Sequence, residues 1–237
     1  MLHAISVILS WSGGKDSALA LHALRQDACY EVRGLLTSVN QHYRRISMHG
    51  VRETLLDTQA EALGLPLFKI QLSEHPSNEE YEDKLRVELE SFKTRGVRHV
   101  AFGDLFLEDI RRYREKNMAQ LNMNCVFPLW HRPTDKLARE FIALGFKALL
   151  CCVDGQALDV HFAGREYDET LLRELPTGVD PCGENGEFHT FVYAGPGFHR
   201  AIPLQRGECI LRDQRFQFCD LLPMEEHYEH LAPVVHS

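Results

Sequence analysis

The chain has 237 residues, 44% hydrophobic and 25% charged, the make-up of a water-soluble globular protein with a sizeable core in one large domain, or in a main domain and a smaller companion. Its formal net charge of −8 excludes a global positive field that would draw it to nucleic acid or to anionic membrane. Seven scattered cysteines without a CxxC pair read as reduced thiols of a cytoplasmic protein and not as a disulfide framework or a zinc site.

Along the chain, strand-like and helix-like segments alternate. Ala4–Ser10 is a short apolar run rich in β-branched residues, a buried strand. It runs into a glycine pair, and the helix formers Ser17–Leu24 follow. Val32–Val39 is a second strand, Arg52–Leu63 a helix closed by Gly64 and Pro66, and Leu67–Leu72 a third strand. Ser77-Asn-Glu-Glu80 fits a capping box that starts a helix reaching Arg95. Val97–Phe102 is a fourth strand, Glu108–Leu121 a charged helix and Cys125–Leu129 a fifth strand. Thr134 can cap a helix to Leu144, and Phe146–Val153 is a sixth strand. Strands separated by helices of this length predict βαβ units and a mostly parallel sheet covered on both faces.

Past Asp154 the regularity fades, leaving a short helix at Asp168–Leu175 and β-like pieces at Phe188–Tyr193 and Glu208–Phe218. The expected division is therefore an α/β domain over residues 1–150 and a smaller α+β part over residues 151–237 that closes over the carboxyl edge of the sheet. No apolar run reaches the roughly 18 residues of a membrane span. Ala4–Trp11, short and without a basic leader, is not a signal segment.

The segment Ser10–Ser17 reads S-W-S-G-G-K-D-S, with a strand entering and a helix leaving. Gly13 and Gly14 let the backbone approach a polyanion and adopt positive φ, and the helix start offers N–H groups and the positive end of its dipole. Ser10, Ser12 and Ser17 add hydroxyls, Lys15 a positive charge, and Asp16 a carboxylate beside it. The spacing fits neither a Walker A loop nor a dinucleotide fingerprint. It resembles instead the pyrophosphate-binding PP-loop of the ATP-pyrophosphatase (adenine nucleotide α-hydrolase) superfamily, whose members cleave ATP between the α and β phosphates. That resemblance implies a HUP/Rossmann-like sheet, ATP with Mg²⁺, and adenine near Thr37 and Ser38 at the end of the second strand.

Asp180–Thr190 reads D-P-C-G-E-N-G-E-F-H-T and is similar to the G-E-N-G-E-[FY]-H-T signature of the diphthine–ammonia ligase family. His49-Gly-Val-Arg52, Phe102-Gly-Asp104, Asp109–Glu115 and Pro128-Leu-Trp130 extend the likeness, which spans Ser12 to about Pro196. Longer members of that family carry further domains after this core. The resemblance implies adenylation of the diphthine carboxylate on elongation factor 2, then displacement of AMP by ammonia to give an amide. The partners it implies are thus ATP, ammonia or ammonium, and a carboxylate acceptor on a protein. The residues alone leave that acceptor, the ammonia source and the oligomeric state open, a homodimer included.

By chemistry, Glu184 and Glu187 can hold or deprotonate ammonium or bind magnesium, and His189 is the member expected to titrate near neutral pH. Without the resemblance the same stretch would read as a polar turn before a strand. Arg111, Arg114 and Glu115 follow Gly103 and Asp104 at a strand's carboxyl end, where open α/β sheets bind ligands. There the arginines can grip a phosphate or carboxylate, or merely form ion pairs on a solvated face. His49 and Arg52 can reach phosphates or the acceptor. Two other functions compete with amide ligation: a PP-loop modifier of transfer RNA, and a non-catalytic adenine-nucleotide module. The absence of paired cysteines and the acidic balance weigh against the first, and the carboxylates at 184 and 187 against the second.

Overall fold

The computed structural model describes residues 4–46 and 49–224. Five parallel strands form the first sheet: β1 (Ile5–Ser10), β2 (Tyr30–Asn40), β4 (Leu67–Leu72), β5 (His99–Ala101) and β6 (Asn124–Val126). A two-residue antiparallel strand, β3 (Arg45–Ile46), pairs with the far end of β2. Pairing runs β4-β2-β1-β5-β6, so the chain winds outward from β1 in one direction and then returns to wind in the other. Such a reversal opens a crevice at the carboxyl ends of the two central strands, where α/β folds bind ligands.

The continuous apolar character of the first strand has a direct cause. Val7 and Leu9 enter one core and Ile8 the other, so both faces are buried. The first core takes α1 (Lys15–Gln26), α2 (Glu53–Leu63) and α5 (Thr134–Ala143), through side chains such as Leu24, Leu55 and Phe141. The second takes α3 (Asn78–Thr94) and α4 (Glu108–Gln120), through Leu89, Phe92 and Met118. No helix among the described residues is long and apolar enough to cross a membrane.

Several local expectations are corrected. The strand over Lys147–Asp154 (β7) does not extend the parallel sheet; it anchors a second, antiparallel one, pairing with Phe188–Ala194 (β8) on one side and Phe216–Pro223 (β10) on the other, with Leu204–Arg212 (β9) at the far edge. Nothing in an apolar run buried on both sides distinguishes those two fates. The single β piece expected at Glu208–Phe218 is a hairpin of β9 (Leu204–Arg212) and β10 (Phe216–Pro223). Its turn escaped notice because Asp213 and Gln214, and not glycine, take positive φ of 52° and 51°. Thr134 does not cap α5: it lies within the first turn and donates its hydroxyl to Asp180 Oδ2 at 2.6 Å. The Ser77 box is half formed, because Ser77 accepts from Glu80 N while the Glu80 carboxylate turns to Ser73 and Lys84.

The second sheet packs into the same core as α1 and α2, through β8 (Phe188–Ala194) and its Phe188, Phe191 and Val192. Residues 225–237 of the expected C-terminal part lie outside the described residues.

Candidate active site

A cleft of about 650 Å³ lies at the carboxyl ends of β1, β2, β4 and β5. Ser10, Ser12, Gly14 and the first turn of α1 form its floor, with Thr37 and Ser38 on one side and Gly103 and Asp104 on the other. Gly183, Glu184 and His189 close it from the C-terminal part. Apolar groups of β2 and β4, among them Leu36, Ile70 and Leu72, flank Thr37 and Ser38, a surface suited to a flat base.

The loop after β1 is shaped by its glycines and by strand β8. Gly13 adopts φ +78°, and a Cβ there would meet Gln59 Oε1 at 2.9 Å. Its carbonyl accepts from Val192 N at 2.9 Å. A Cβ on Gly103 would stand 3.0 Å from the Asp16 backbone, so β5 ends hard against the first turn of α1. Gly14 N donates to Ser12 Oγ at 3.2 Å, and Ser17 donates its hydroxyl to the Gly14 carbonyl at 2.9 Å. Gly14, the residue before α1, has no side chain to cap the helix. Thr190 supplies the missing cap from 175 residues away, its Oγ1 accepting from Lys15 N at 3.0 Å. The amides at the start of a helix have no partner within it, and this is the end turned to the cleft.

Lys15 does not stretch into the open cleft. It is 3% exposed, donates to Asp16 Oδ2 at 2.8 Å, and lies 5.5 Å from the Phe188 ring centre and 6.0 Å from that of Tyr167. Burial would lower its pKa, but Asp16, with Cys182 and Glu184 nearby, outweighs this and the net shift is upward, so Lys15 stays charged. The Asp16 side chain is 29% exposed overall, yet its Oδ1 is sealed and has no hydrogen-bond partner. Burial raises the Asp16 pKa despite the adjacent ammonium.

The loop from Asp180 to Glu187 is built by two of its three acids. Asp180 Oδ1 accepts from Cys182 N at 2.8 Å and from Glu184 N at 3.3 Å. Glu187, 5% exposed, accepts from Asp180 N, Asn185 N and Asn185 Nδ2, each at 3.0 Å. Glu187 thus clips the loop to itself and does not face the cleft as expected. The third acid, Glu184, does. Its Oε1 accepts from Leu105 N at 2.8 Å and, more weakly, from Phe106 N at 3.4 Å, just past β5. Burial pushes its pKa up to about 7 against the pull of the Leu105 bond.

His189 stacks on His49 with ring centres 4.4 Å apart, and His49 Nδ1 is 3.4 Å from the Thr190 carbonyl. Burial, with Lys15 nearby, brings the His189 pKa down to about 4. Burial and then the neighbouring His189 hold His49 well below the ordinary imidazole value. Both rings are neutral at pH 7. The expectation that His189 titrates near neutrality is therefore corrected: the carboxyl of Glu184 takes that place, because both groups are desolvated and desolvation moves an acid up and an imidazole down.

Arg114 and Asp104 line the cleft and are joined by bonds of 2.6 and 3.2 Å, with the guanidinium 4.4 Å from the Phe102 ring centre. Three expected ligand residues lie elsewhere. Arg111 bonds Glu115 at 2.8 Å and covers the Phe127 and Trp130 rings at 5.0 and 4.8 Å, one helical step round α4 from the cleft face. Arg52 makes a two-point pair with Asp220 at 2.6 and 3.1 Å, and Arg45 joins the same carboxylate at 2.9 Å. These bonds tie β10 to the turn that carries His49. Replacing Arg52 by Ala should cost about 1–2 kcal/mol in denaturant unfolding, the worth of a charged hydrogen-bond pair, and leave nucleotide affinity unchanged.

Sequence reasoning missed Gln59, Trp11 and Thr190. Gln59 and Trp11 sit in apolar-patterned stretches with nothing to mark a polar task. Thr190 closes the quoted motif, but its partner on α1 is visible only once the chain is folded.

The two halves of this arrangement match known families. Residues 5–124 match the family model described as the diphthamide synthase N-terminal domain, and residues 133–220 that of the diphthamide synthase C-terminal domain. The chain is 28% identical over 235 residues to the diphthine–ammonia ligase of Mus musculus, covering 84% of this chain and 83% of that protein. Against the protein of the same name from Danio rerio the identity is 31% over 172 residues, covering 66% and 67%. With that of Schizosaccharomyces pombe it is 24% over 219 residues, or 84% of this chain and 36% of that one.

Proposed function

This chain belongs to the diphthamide synthase family, and on that premise we propose that the cleft is the active site of an ATP-dependent amide ligase of the diphthine–ammonia ligase kind, forming AMP and pyrophosphate. One observation carries the proposal: a glycine loop fit for a polyphosphate and a carboxyl group poised near neutral pH share one cleft, although they lie far apart in the sequence.

In this reading the triphosphate lies over Ser12, Gly14 and Ser17 at the positive end of α1, with adenine against the strand end at Thr37 and Ser38. The acceptor carboxylate attacks the α-phosphorus, pyrophosphate leaves, and an acyl adenylate forms. Ammonia then attacks the acyl carbon, AMP departs, and the proton lost from nitrogen goes to Glu184. Glu184 suits that task because its pKa lies near the operating pH. The neutral His49–His189 stack adds no competing positive charge where ammonium must approach. Lys15 holds Asp16 and the loop in place from behind.

Magnesium fits as a passenger of the nucleotide. Among the described residues no group of three or more His, Cys, Asp or Glu could hold a metal on its own. Magnesium takes only one or two carboxylates plus phosphate oxygens, and the unpartnered Oδ1 of Asp16 is a ligand of that kind. When bound, the ion would neutralise charge on the departing pyrophosphate.

The carboxylate acceptor is a diphthine-bearing protein, in line with the names of the relatives. A sulfur-transfer chemistry finds no support among the described residues: no cysteine lines the cleft, and Cys182, buried near Lys15, has its thiol pushed up to about 12 by burial.

Incubation with ATP, magnesium and ammonium, with and without diphthine-bearing elongation factor, tests the proposal. Ammonium-dependent AMP and pyrophosphate with the acceptor present is the expected outcome. ADP and phosphate in their place would overturn it.

A further inference from the structure

Gln59 lies on α2, is 0% exposed, and plays no part in the chemistry described above. Three hydrogen bonds tie its amide to the loop and its brace. Oε1 accepts from Trp11 Nε1 at 2.7 Å, and Nε2 donates to the Gly13 carbonyl at 3.0 Å and to the Val192 carbonyl at 2.6 Å. The indole settles which end of the amide is which, because an indole N–H can only donate. With Oε1 committed to Trp11, both donors must face the two carbonyls.

The Gly13 carbonyl is therefore held twice, by Gln59 Nε2 and by Val192 N. This matters because the peptide between Gly13 and Gly14 is flanked by residues with no Cβ to resist rotation. Turned over, that peptide would aim its carbonyl oxygen into the cleft and withdraw the Gly14 N–H from it. An oxygen facing a triphosphate repels what the amide would attract. Nothing in the glycines themselves selects the productive orientation, so it is imposed by their partners: Ser12 Oγ on the Gly14 amide, and Gln59 and Val192 on the Gly13 carbonyl.

We propose that Gln59 is a positioning residue for ATP: by holding the Gly13 carbonyl out of the cleft, with Trp11 fixing its amide, it keeps the Gly14 amide on the cleft side, beside Ser12 Oγ, where the polyphosphate would lie. The inference rests on the ATP-ligase reading and deepens it. Gln59 touches no substrate; its effect passes through the loop.

The test uses the full chain and two variants. Gln59→Met keeps the length of the side chain and removes both donors. Gln59→Glu keeps the acceptor for Trp11, and a carboxyl buried among carbonyls recovers a donor only when protonated. For Gln59→Met we expect the KM for ATP to rise about tenfold or more, the factor expected for lost hydrogen bonds to a buried carbonyl, with the KM for ammonium unchanged. For Gln59→Glu we expect ATP binding, measured by calorimetry, to tighten relative to wild type as pH falls. A merely structural role would move both KM values or neither, and would give no such pH trend. A folded Gln59→Met with wild-type ATP affinity overturns the inference. If Gln59→Met does not fold, a flat pH dependence of ATP binding in Gln59→Glu, relative to wild type, overturns it instead. Wild-type chain that takes no ATP at all overturns the ligase reading itself, so the two failures are distinct.

Discussion

In Glu184→Gln, amide formation should fall by about 10²–10⁴-fold, the usual worth of a general base, while ATP binding stays near wild type. The separation follows from geometry: Glu184 enters the cleft from the C-terminal part and bonds Leu105 N, whereas the site proposed for the polyphosphate is the loop after β1. Glutamine keeps the size of the side chain and an oxygen for Leu105 N but cannot take a proton. The pH profile gives an independent check. Glu184 must be ionised to act, and burial has moved its pKa from 4.5 to about 7. The wild-type rate should therefore rise with pH on a limb centred near 7, and Glu184→Gln should lack that limb. Stability has the opposite sign. A carboxyl whose folded pKa is raised binds protons more readily folded than unfolded, so wild type loses stability as pH rises between about 4.5 and about 7. Glu184→Gln should not share that loss, and thermal melts across the window measure it. Equal losses of ATP affinity and turnover would make Glu184 a nucleotide contact.

The second large effect concerns Lys15. Removing its ammonium in Lys15→Met leaves the Asp16 carboxylate with no cation and a sealed Oδ1. Breaking a buried ion pair typically costs 3–5 kcal/mol, and the 29% exposure of Asp16 places this one at about 3 kcal/mol. Adding Asp16→Asn should restore much of that stability, because the stranded charge is gone, but not turnover, because the anionic oxygen suited to magnesium is gone too. Denaturant unfolding of the two single variants and the double closes the cycle. If the double is no more stable than Lys15→Met, the pair is not what Lys15 contributes.

How far the sequence revealed all this differs from part to part. Strands and helices of the parallel sheet were legible because each local signal agreed with its neighbour: apolar runs buried on both faces, helices with one apolar side, glycine after the helix. The phosphate loop was legible because its residues are consecutive. Lys147–Asp154 was misassigned because pairing partners are not written in a strand that is apolar throughout. Within Glu184-Asn-Gly-Glu187 the composition pointed to the right place but not to the right acid. Which carboxylate clips the loop and which faces the cleft depends on Leu105 and Asn185, one of them distant and one adjacent. Arg52 and Arg111 stay ambiguous in the sequence for a related reason. A guanidinium at a sheet's carboxyl end advertises a ligand until Asp220 or Glu115 is seen to hold it.

The long reach of the brace from β8 has a bearing on how the molecule comes into being. Thr190 and Val192 meet the loop across most of the polypeptide, and such non-local contacts form late because chain closure must be achieved before they reward it. During synthesis the amino-terminal half emerges first. It then carries strand, loop and helix in order, with the cap of the helix and one of the two restraints on Gly13 still inside the ribosome. On the ligase reading proposed above, nucleotide affinity should therefore mature with the arrival of the last sheet, and a nascent chain should gain its grip on the polyphosphate only as it gains Glu184.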